Sequence, residues 1–146
     1  MDWINDRTHH SQGFLWFSGD PGVDKFATAA SVARACKDHG TLWGQFFINR
    51  DNAETTNPRF YFPTIARQFV DHASHPDLEI ALAAALKNRP SLMDSISNIQ
   101  ASELFTNALD IACQLDLNQP VAVVIDGLDE ANRSELAATT QIFYEV

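Results

Sequence analysis

The most strand-like segment of the chain is Val121-Ala122-Val123-Val124-Ile125, and Asp126-Gly127-Leu128-Asp129-Glu130 follows it directly. Short, continuous apolar runs of this kind are typical of strands that are buried on both faces of a parallel sheet. A carboxylate that ends such a strand lies at the carboxyl edge of the sheet, where open α/β folds bind their ligands. The segment therefore predicts an α/β fold with an acidic candidate site at one edge of the sheet.

The rest of the chain alternates between strand-like and helix-like patterns. We predict further strands over Phe14–Phe17 and Leu42–Ile48. Apolar periodicity and helix-end signals predict helices over Lys25–His39, from Pro63 onward, over Pro76–Lys87, over about Ala101–Leu115 and from Ser134 into Phe143. The order β-α-β-α-α-α-β-α predicts a parallel sheet with helices on its faces, which is a three-layer α/β/α architecture.

The loop between the first predicted strand and the first predicted helix matches half of a phosphate-binding pattern. It reads Gly19-Asp20-Pro21-Gly22-Val23-Asp24-Lys25-Phe26, and we take these residues as the candidate nucleotide-binding residues. A loop in this position binds phosphates through backbone N–H groups and a helix N-terminus, while the lysine adds positive charge. Gly19 and Lys25 fit the pattern G-x-x-x-x-G-K-[ST], but Asp24 replaces its second glycine and Phe26 its hydroxyl residue.

Both replacements bear on nucleotide chemistry. Asp24 brings a negative charge to a place where the backbone must approach an anion, and this repulsion lowers affinity. Phe26 removes an oxygen ligand for Mg²⁺. We therefore expect ATP or GTP to bind with Mg²⁺ weakly if at all, and hydrolysis to be weak or absent.

The acidic segment supplies the complementary half of the site. Asp126, at the end of a buried strand, is the candidate Mg²⁺ ligand, either directly or through water. Asp129 and Glu130, on the following turn, are candidate catalytic residues that would orient or deprotonate a water for attack on a terminal phosphate. Gly127 would let the backbone pass close to the metal shell.

Composition excludes several other functions. The 146 residues carry 10 Lys and Arg against 19 Asp and Glu, a formal net charge of −9. This acidic balance argues against a nucleic-acid partner and against an anionic membrane surface. The N-terminus lacks the pattern of a signal peptide, and no apolar run approaches the ~20 residues of a membrane span. We therefore expect a cytoplasmic location.

A few other residues invite a functional interpretation. His72 and His75 have a spacing that could hold a metal, but no further ligand is identifiable, and solvated histidines at a helix end are the simpler interpretation. Cys36 and Cys113 are widely separated, which favours buried thiols over a disulfide or zinc site. Arg50 follows the second strand, either as a surface charge or as a phosphate-facing arginine at the sheet edge.

Five segments in this order resemble a known family. They are Trp3-Ile4, Phe14-Leu15-Trp16-Phe17-Ser18-Gly19-Asp20-Pro21-Gly22, Gly44-Gln45-Phe46-Phe47-Ile48-Asn49-Arg50, Phe62-Pro63-Thr64-Ile65-Ala66-Arg67-Gln68-Phe69 and Val123-Val124-Ile125-Asp126-Gly127-Leu128-Asp129-Glu130. Together they resemble the NACHT-type NTPase domain of fungal NOD-like receptors, the nephrocystin-like N-terminal group.

That resemblance implies a P-loop NTPase of the STAND class, in which nucleotide binding and exchange drive oligomerisation and signalling. It assigns phosphates to Gly19–Lys25, Mg²⁺ to Asp126 and the hydrolytic water to Asp129 and Glu130. It also implies further strands beyond residue 146, one of them between the Phe14–Phe17 and Val121–Ile125 strands. We accordingly expect a linker over residues 1–13 and a partial NTPase-like domain over residues 14–146.

The sequence leaves two functions open. One is a nucleotide-dependent signalling switch with weak or absent hydrolysis. The other is a non-catalytic interaction module, or a truncated relic, that associates with itself or with complete NACHT relatives. The two differ in whether the loop with Asp24 and Phe26 still binds nucleotide.

Overall fold

The structure is a computed structural model that describes residues 15, 17–20, 22–73, 75–94, 97–114 and 120–131. Two strands and six α-helices lie within these residues, together with shorter helical turns. In chain order they are α1 (Lys25–Asp38), β1 (Leu42–Phe47), α2 (Ala53–Thr56), a 3-10 turn (Pro58–Phe60), α3 (Tyr61–Ala73), α4 (Pro76–Asn88), a 3-10 turn (Pro90–Asp94), α5 (Ser97–Gln100), a π-helical segment (Ala101–Thr106), α6 (Asn107–Gln114), β2 (Ala122–Asp126) and a 3-10 turn (Leu128–Glu130).

The two strands form a parallel sheet. Leu42 pairs with Ala122 at one end and Phe47 pairs with Asp126 at the other, with a shift in register between Leu42 and Gly44. Because parallel strands run in the same direction, the residues that follow β1 and β2 leave the sheet at the same edge. The sequence-based prediction of a mixed α/β fold with a parallel sheet is confirmed.

Helix α1 covers one face of this sheet and begins and ends near the predicted residues. Its inward side places Ala33 and Cys36 against Leu42, and both residues are buried. The helix ends at Asp38, and Gly40 follows with φ +72°, a left-handed conformation that favours glycine at a helix end. The buried thiol predicted for Cys36 is therefore confirmed, whereas the side chain of Cys113 lies outside the described residues.

Helix α3 covers the opposite face and carries four of the largest fully buried side chains, those of Tyr61, Phe62, Ile65 and Phe69. Pro63 lies in its first turn, as predicted. A Cβ on Gly44 of β1 would lie 2.9 Å from Cγ2 of Ile65, so the absence of a side chain lets the helix approach the strand closely. The core on this side consists of Trp43, Phe46, Ile48, Tyr61, Phe62, Ile65, Ala66, Phe69, Leu78, Leu82, Leu92, Leu104, Phe105, Ala108 and Ala131.

The predicted strand over Phe14–Phe17 is wrong at the residues that can be checked. Leu15 and Phe17 lie outside any strand, and they are 70% and 56% exposed. A strand persists only where a neighbouring strand pairs with its backbone, and the two strands of the described part of the chain pair with each other. Phe14 and Trp16 lie outside the described residues.

The predicted helix over about Ala101–Leu115 is also revised. Helical structure begins earlier, at Ser97, and passes through the π-helical segment before α6. A π-helical turn widens the helix locally and rotates the residues that follow it. Leu104, Phe105 and Ala108 are nevertheless buried, so this segment keeps an apolar face toward the core. Leu115 and the predicted helix from Ser134 lie outside the described residues, as do residues 1–13.

None of the helices described is long and apolar enough to cross a membrane.

Candidate functional site

The carboxyl edge of the sheet brings two distant parts of the chain together. The N–H of Ile48, just past β1, donates to the carbonyl oxygen of Asp126 at 2.9 Å. The loop that follows β1 and the acidic turn that follows β2 therefore lie side by side. This is the edge at which the sequence placed its candidate site.

Gly127 makes this arrangement possible. It has φ +79°, and a Cβ at this position would lie 2.5 Å from the carbonyl oxygen of Ile48. The chain then turns at once into the 3-10 segment, in which the N–H of Glu130 donates to the carbonyl of Gly127 at 2.8 Å. The close approach predicted for Gly127 is thus an approach to the backbone that follows β1.

Glu130 is held by Arg50 through two hydrogen bonds. The backbone N–H of Arg50 donates to Oε2 at 2.9 Å, and Nη2 of its guanidinium donates to Oε1 at 3.1 Å. These bonds, together with the positive charge of Arg50, hold the pKa of Glu130 below its usual range. In return, the carboxylate raises the pKa of Arg50. Glu130 is therefore an anchored carboxylate at this edge.

Asp126 has the opposite electrostatic character. Burial raises the pKa of its carboxyl, and the charges of Asp129 and Glu130 act in the same direction. A hydrogen bond from the Gly127 backbone and the charge of Lys25 oppose the shift without reversing it. The charged form of Asp126 is thus disfavoured, mainly by partial burial, and a bound cation would offset this penalty.

The loop before α1 is closed by bonds within itself. Nζ of Lys25 donates to the carbonyl oxygen of Gly19 at 2.8 Å, and the N–H of Val23 donates to the carbonyl of Asp20 at 3.2 Å. Gly22 has φ +93° with open space where a side chain would be. Pro21, another candidate of this loop, lies outside the described residues.

The two departures from the phosphate-binding pattern have structural roles here. Oδ1 of Asp24 accepts a hydrogen bond from the N–H of Ala27 at 3.2 Å, so Asp24 is the N-cap of α1. The ring of Phe26 is 63% exposed and makes an edge contact with Phe47 of β1, with ring centroids 5.5 Å apart. The carboxylate of Asp24 thereby uses one of the helix N-terminal N–H groups that an anion would bind.

Electrostatics connect the two halves of the candidate site. The charge of Lys25 opposes the rise in the pKa of Asp126 and makes the smallest contribution to the lowered pKa of Glu130. Asp129 contributes to the raised pKa values of Asp126 and Arg50. Sequence reasoning placed the acidic residues and the lysine at this edge but did not identify Glu130 as the partner of Arg50. The available signal was that both residues closely follow predicted strands of one parallel sheet, whose carboxyl ends lie at the same edge.

The carboxylates at this edge could hold Mg²⁺ together with phosphates and water. Among the residues described, they do not form a site in which the protein supplies every ligand. In the described ranges, no group of three or more His, Cys, Asp or Glu residues is placed to hold a metal ion. Mg²⁺ commonly binds through one or two carboxylates and takes its other ligands from phosphates and water. Asp126, with its raised pKa, could supply the single carboxylate.

The two histidines take part in local structure. Nδ1 of His75 accepts from the N–H of Asp77 at 3.3 Å, so His75 is the N-cap of α4. Nε2 of His72 lies 3.4 Å from the carbonyl oxygen of Gly40, and its ring lies against Trp43 with centroids 6.2 Å apart. Both side chains are therefore accounted for by helix capping and packing.

Comparison with known proteins gives one match. The family model described as "Nephrocystin 3, N-terminal" matches residues 1–145, nearly the whole chain. No curated protein and no solved structure matches the chain.

Proposed function

Because the chain belongs to the nephrocystin 3 N-terminal family, we propose that it is a nucleotide-binding signalling switch domain of the NACHT type. On this proposal it has a P-loop NTPase fold, lies in the cytoplasm, and binds ATP or GTP with Mg²⁺ while hydrolysing it weakly or not at all. The observation that carries the proposal is the shared edge, where Asp126 and Glu130 lie beside the loop after β1 and the charge of Lys25 opposes the rise in the pKa of Asp126 and adds to the lowering of the pKa of Glu130.

The loop before α1 would bind the phosphates. In the structure, Nζ of Lys25 donates to the neutral carbonyl oxygen of Gly19. A phosphate oxygen is a stronger acceptor for an ammonium group than a carbonyl is, so a nucleotide would draw the side chain away from this bond. The loop is therefore arranged to exchange an internal contact for a ligand contact.

Asp126 would hold the magnesium ion. The chemistry that a bound Mg²⁺ would supply is positive charge against the phosphates. The raised pKa of Asp126 shows that its charged form is disfavoured without a cation, so a cation would restore an ordinary carboxylate. Asp129 is exposed beside it and would contribute negative charge at longer range.

Three features favour weak hydrolysis. Asp24 caps the helix that should receive the phosphates, and Phe26 offers a ring where Mg²⁺ would take a hydroxyl. Glu130, a candidate for orienting water, is engaged by Arg50. A switch does not need rapid turnover, because exchange of one bound nucleotide for another is enough to change its state.

The test is thermal stability of the isolated chain with ATP, GTP or ADP and Mg²⁺. A ligand present at about 100 times its Kd stabilises the folded state by roughly 2.7 kcal/mol, which raises Tm visibly. We expect a shift in the wild type and none in Lys25→Ala. Lys87→Ala, which removes a lysine from the last turn of α4, is the matched control and should keep the shift. A cooperative unfolding transition that no nucleotide moves at millimolar concentration would contradict the proposal.

A second candidate function is a non-catalytic interaction module. It is favoured by Leu15, Phe17 and Phe26, three large apolar side chains that are all more than half exposed near the N-terminal end of the described chain. Exposed apolar clusters commonly mark association surfaces. We expect a module of this kind to self-associate, as sedimentation at increasing concentration would detect, and Leu15→Ser with Phe17→Ser to weaken the association. A chain that stays monomeric and also binds nucleotide would favour the switch.

A further inference from the structure

The pair formed by Arg50 and Glu130 occupies a position that matters for the proposed site. Arg50 lies on the loop that leaves β1, and Glu130 lies on the turn that leaves β2. The residues are 80 positions apart in the chain, and one arginine holds both carboxylate oxygens, Oε2 through its backbone and Oε1 through its guanidinium. The pair therefore ties together the two segments that line the carboxyl edge.

The hydrogen bond between the two side chains, from Nη2 of Arg50 to Oε1 of Glu130, is accessible to a competing anion. The side chain of Arg50 is 72% exposed and that of Glu130 is 28% exposed. Ion pairs between exposed side chains contribute little to stability, because water and salt compete for both partners. A guanidinium also carries five N–H donors in a planar fork, which suits it to phosphate as well as to carboxylate. A phosphate arriving at this edge would compete directly with Glu130 for Arg50.

Charge connects this pair to the phosphate-binding loop. The charge of Lys25, which follows the loop, adds to the lowering of the pKa of Glu130. We propose that Arg50 is a latch on Glu130, and that the terminal phosphate of a nucleoside triphosphate is the anion that opens it. This inference rests on the proposed function, since it requires that nucleotide binds at this edge.

The proposal gives the two nucleotide states different effects at this edge. With a diphosphate bound, the guanidinium stays on Oε1 and Glu130 is restrained. With a triphosphate bound, Arg50 turns to the additional phosphate and Glu130 keeps only its bond from the Arg50 backbone. Arg50 is thus a positioning residue for Glu130 and the residue that distinguishes triphosphate from diphosphate.

The test is the ratio of two affinities, measured by equilibrium binding with Mg²⁺ for ADP and for an ATP analogue that resists hydrolysis, with the guanine pair run in parallel. Arg50→Ala should weaken triphosphate binding roughly tenfold, about 1.4 kcal/mol, and change diphosphate binding by less than about twofold. Arg50→Lys should recover part of the loss, because it restores the charge without the fork. Arg67→Ala is the matched control, since Arg67 pairs with Asp71 on the exposed side of α3 and should leave both affinities unchanged.

Glu130→Gln gives the second arm, because it frees Arg50 from a carboxylate. It should raise the triphosphate-to-diphosphate preference, the direction opposite to Arg50→Ala, and this gain should disappear in the double variant with Arg50→Ala. A gain that persists in the double variant would reflect the lost charge alone and would overturn the latch.

The outcomes separate the two proposals. If the wild type binds both nucleotides equally and Arg50→Ala changes neither, nucleotide binding stands and the latch is wrong. If the wild type binds neither nucleotide, the proposed function fails and the latch fails with it. A triphosphate preference that is lost in Arg50→Ala and increased in Glu130→Gln supports both.

Discussion

The turn after β2 and the loop before α1 carry the two halves of the candidate site, and they are held in different ways. The turn is fixed from outside: Gly127 lies against the Ile48 carbonyl, and Arg50 holds Glu130. The loop is fixed by its own residues, with Lys25 on the Gly19 carbonyl and Asp24 on its own helix. The turn after β2 therefore owes its geometry to contacts with the chain that follows β1, whereas the loop before α1 has no such support among the hydrogen bonds of the described residues.

The largest expected effect is on stability, when the glycine of the turn and the glycine of the loop are each replaced by alanine. Gly127 and Gly22 both have positive φ, but only Gly127 has a backbone atom within reach of an added Cβ. Gly127→Ala should therefore lower the free energy of unfolding by about 3–5 kcal/mol, from strain plus collision, and Gly22→Ala by about 1–2 kcal/mol from strain alone. Urea unfolding without nucleotide measures both. Equal losses would show that the turn is no better supported than the loop.

Substitution of Asp24 tests whether its charge lowers the affinity of the loop for nucleotide. Removing the carboxylate with Asp24→Gly should raise nucleotide affinity roughly ten- to hundredfold, because a repulsive charge leaves the phosphate site. Asp24→Ser is the informative companion, since serine can still cap α1 but carries no charge. If charge is the cause, both variants gain affinity. A gain in Asp24→Gly alone would instead point to backbone freedom, and equilibrium nucleotide binding distinguishes the two results.

Asp126→Asn tests the turn side with a smaller effect. The raised pKa means that the charged carboxyl destabilises the fold above the ordinary pKa of an aspartate, and that this penalty vanishes as the group becomes protonated at lower pH. Without Mg²⁺ the variant should be slightly more stable than the wild type at pH 7, by less than about 1 kcal/mol, and equal to it near pH 3. Urea unfolding at both pH values is the measurement.

Asp126→Asn should also weaken nucleotide binding that depends on Mg²⁺. Asp126→Asn should lose the part of nucleotide stabilisation that depends on Mg²⁺, because an amide oxygen is a poorer ligand for this ion than a carboxylate. Asp110→Asn, at an exposed position of α6, is the control and should change neither property. A loss of stability in Asp126→Asn at pH 7 would show that the charged carboxylate does not destabilise the fold.

The smallest expected effect is on the titration of Glu130. Hydrogen bonds from Arg50 lower its pKa, so the stability that the pair contributes is present above the ordinary carboxyl pKa and is lost as the pH falls through the lowered value. In Arg50→Ala the pKa should rise part of the way back, because the backbone N–H remains as a donor. Side-chain carboxyl NMR shifts would follow this change. An unchanged pKa in Arg50→Ala would show that the guanidinium contributes nothing.

The same contrast explains how much the sequence could predict. Helix α1, strands β1 and β2 and the acidic turn were predicted because each has a local signal, such as the apolar run that ends at Asp126 or the stop at Gly40. The strand predicted over Phe14–Phe17 was wrong at Leu15 and Phe17 because an apolar run indicates only a tendency to form a strand. Whether a strand forms depends on pairing with residues far away in the sequence. The sequence left Arg50 open as a surface charge or a phosphate-facing arginine, and its partner Glu130 could not be predicted because it depends on the register between β1 and β2.

The parallel pairing of β1 with β2 also has a consequence for the order of folding. Arg50 and Glu130 are 80 residues apart, so their contact forms only after a long loop has closed, and such contacts form slowly. During synthesis, α1, β1 and α3 are complete long before residue 122 leaves the ribosome. The charged edge therefore assembles late, because the pairing of β1 with β2 requires residues 122–126.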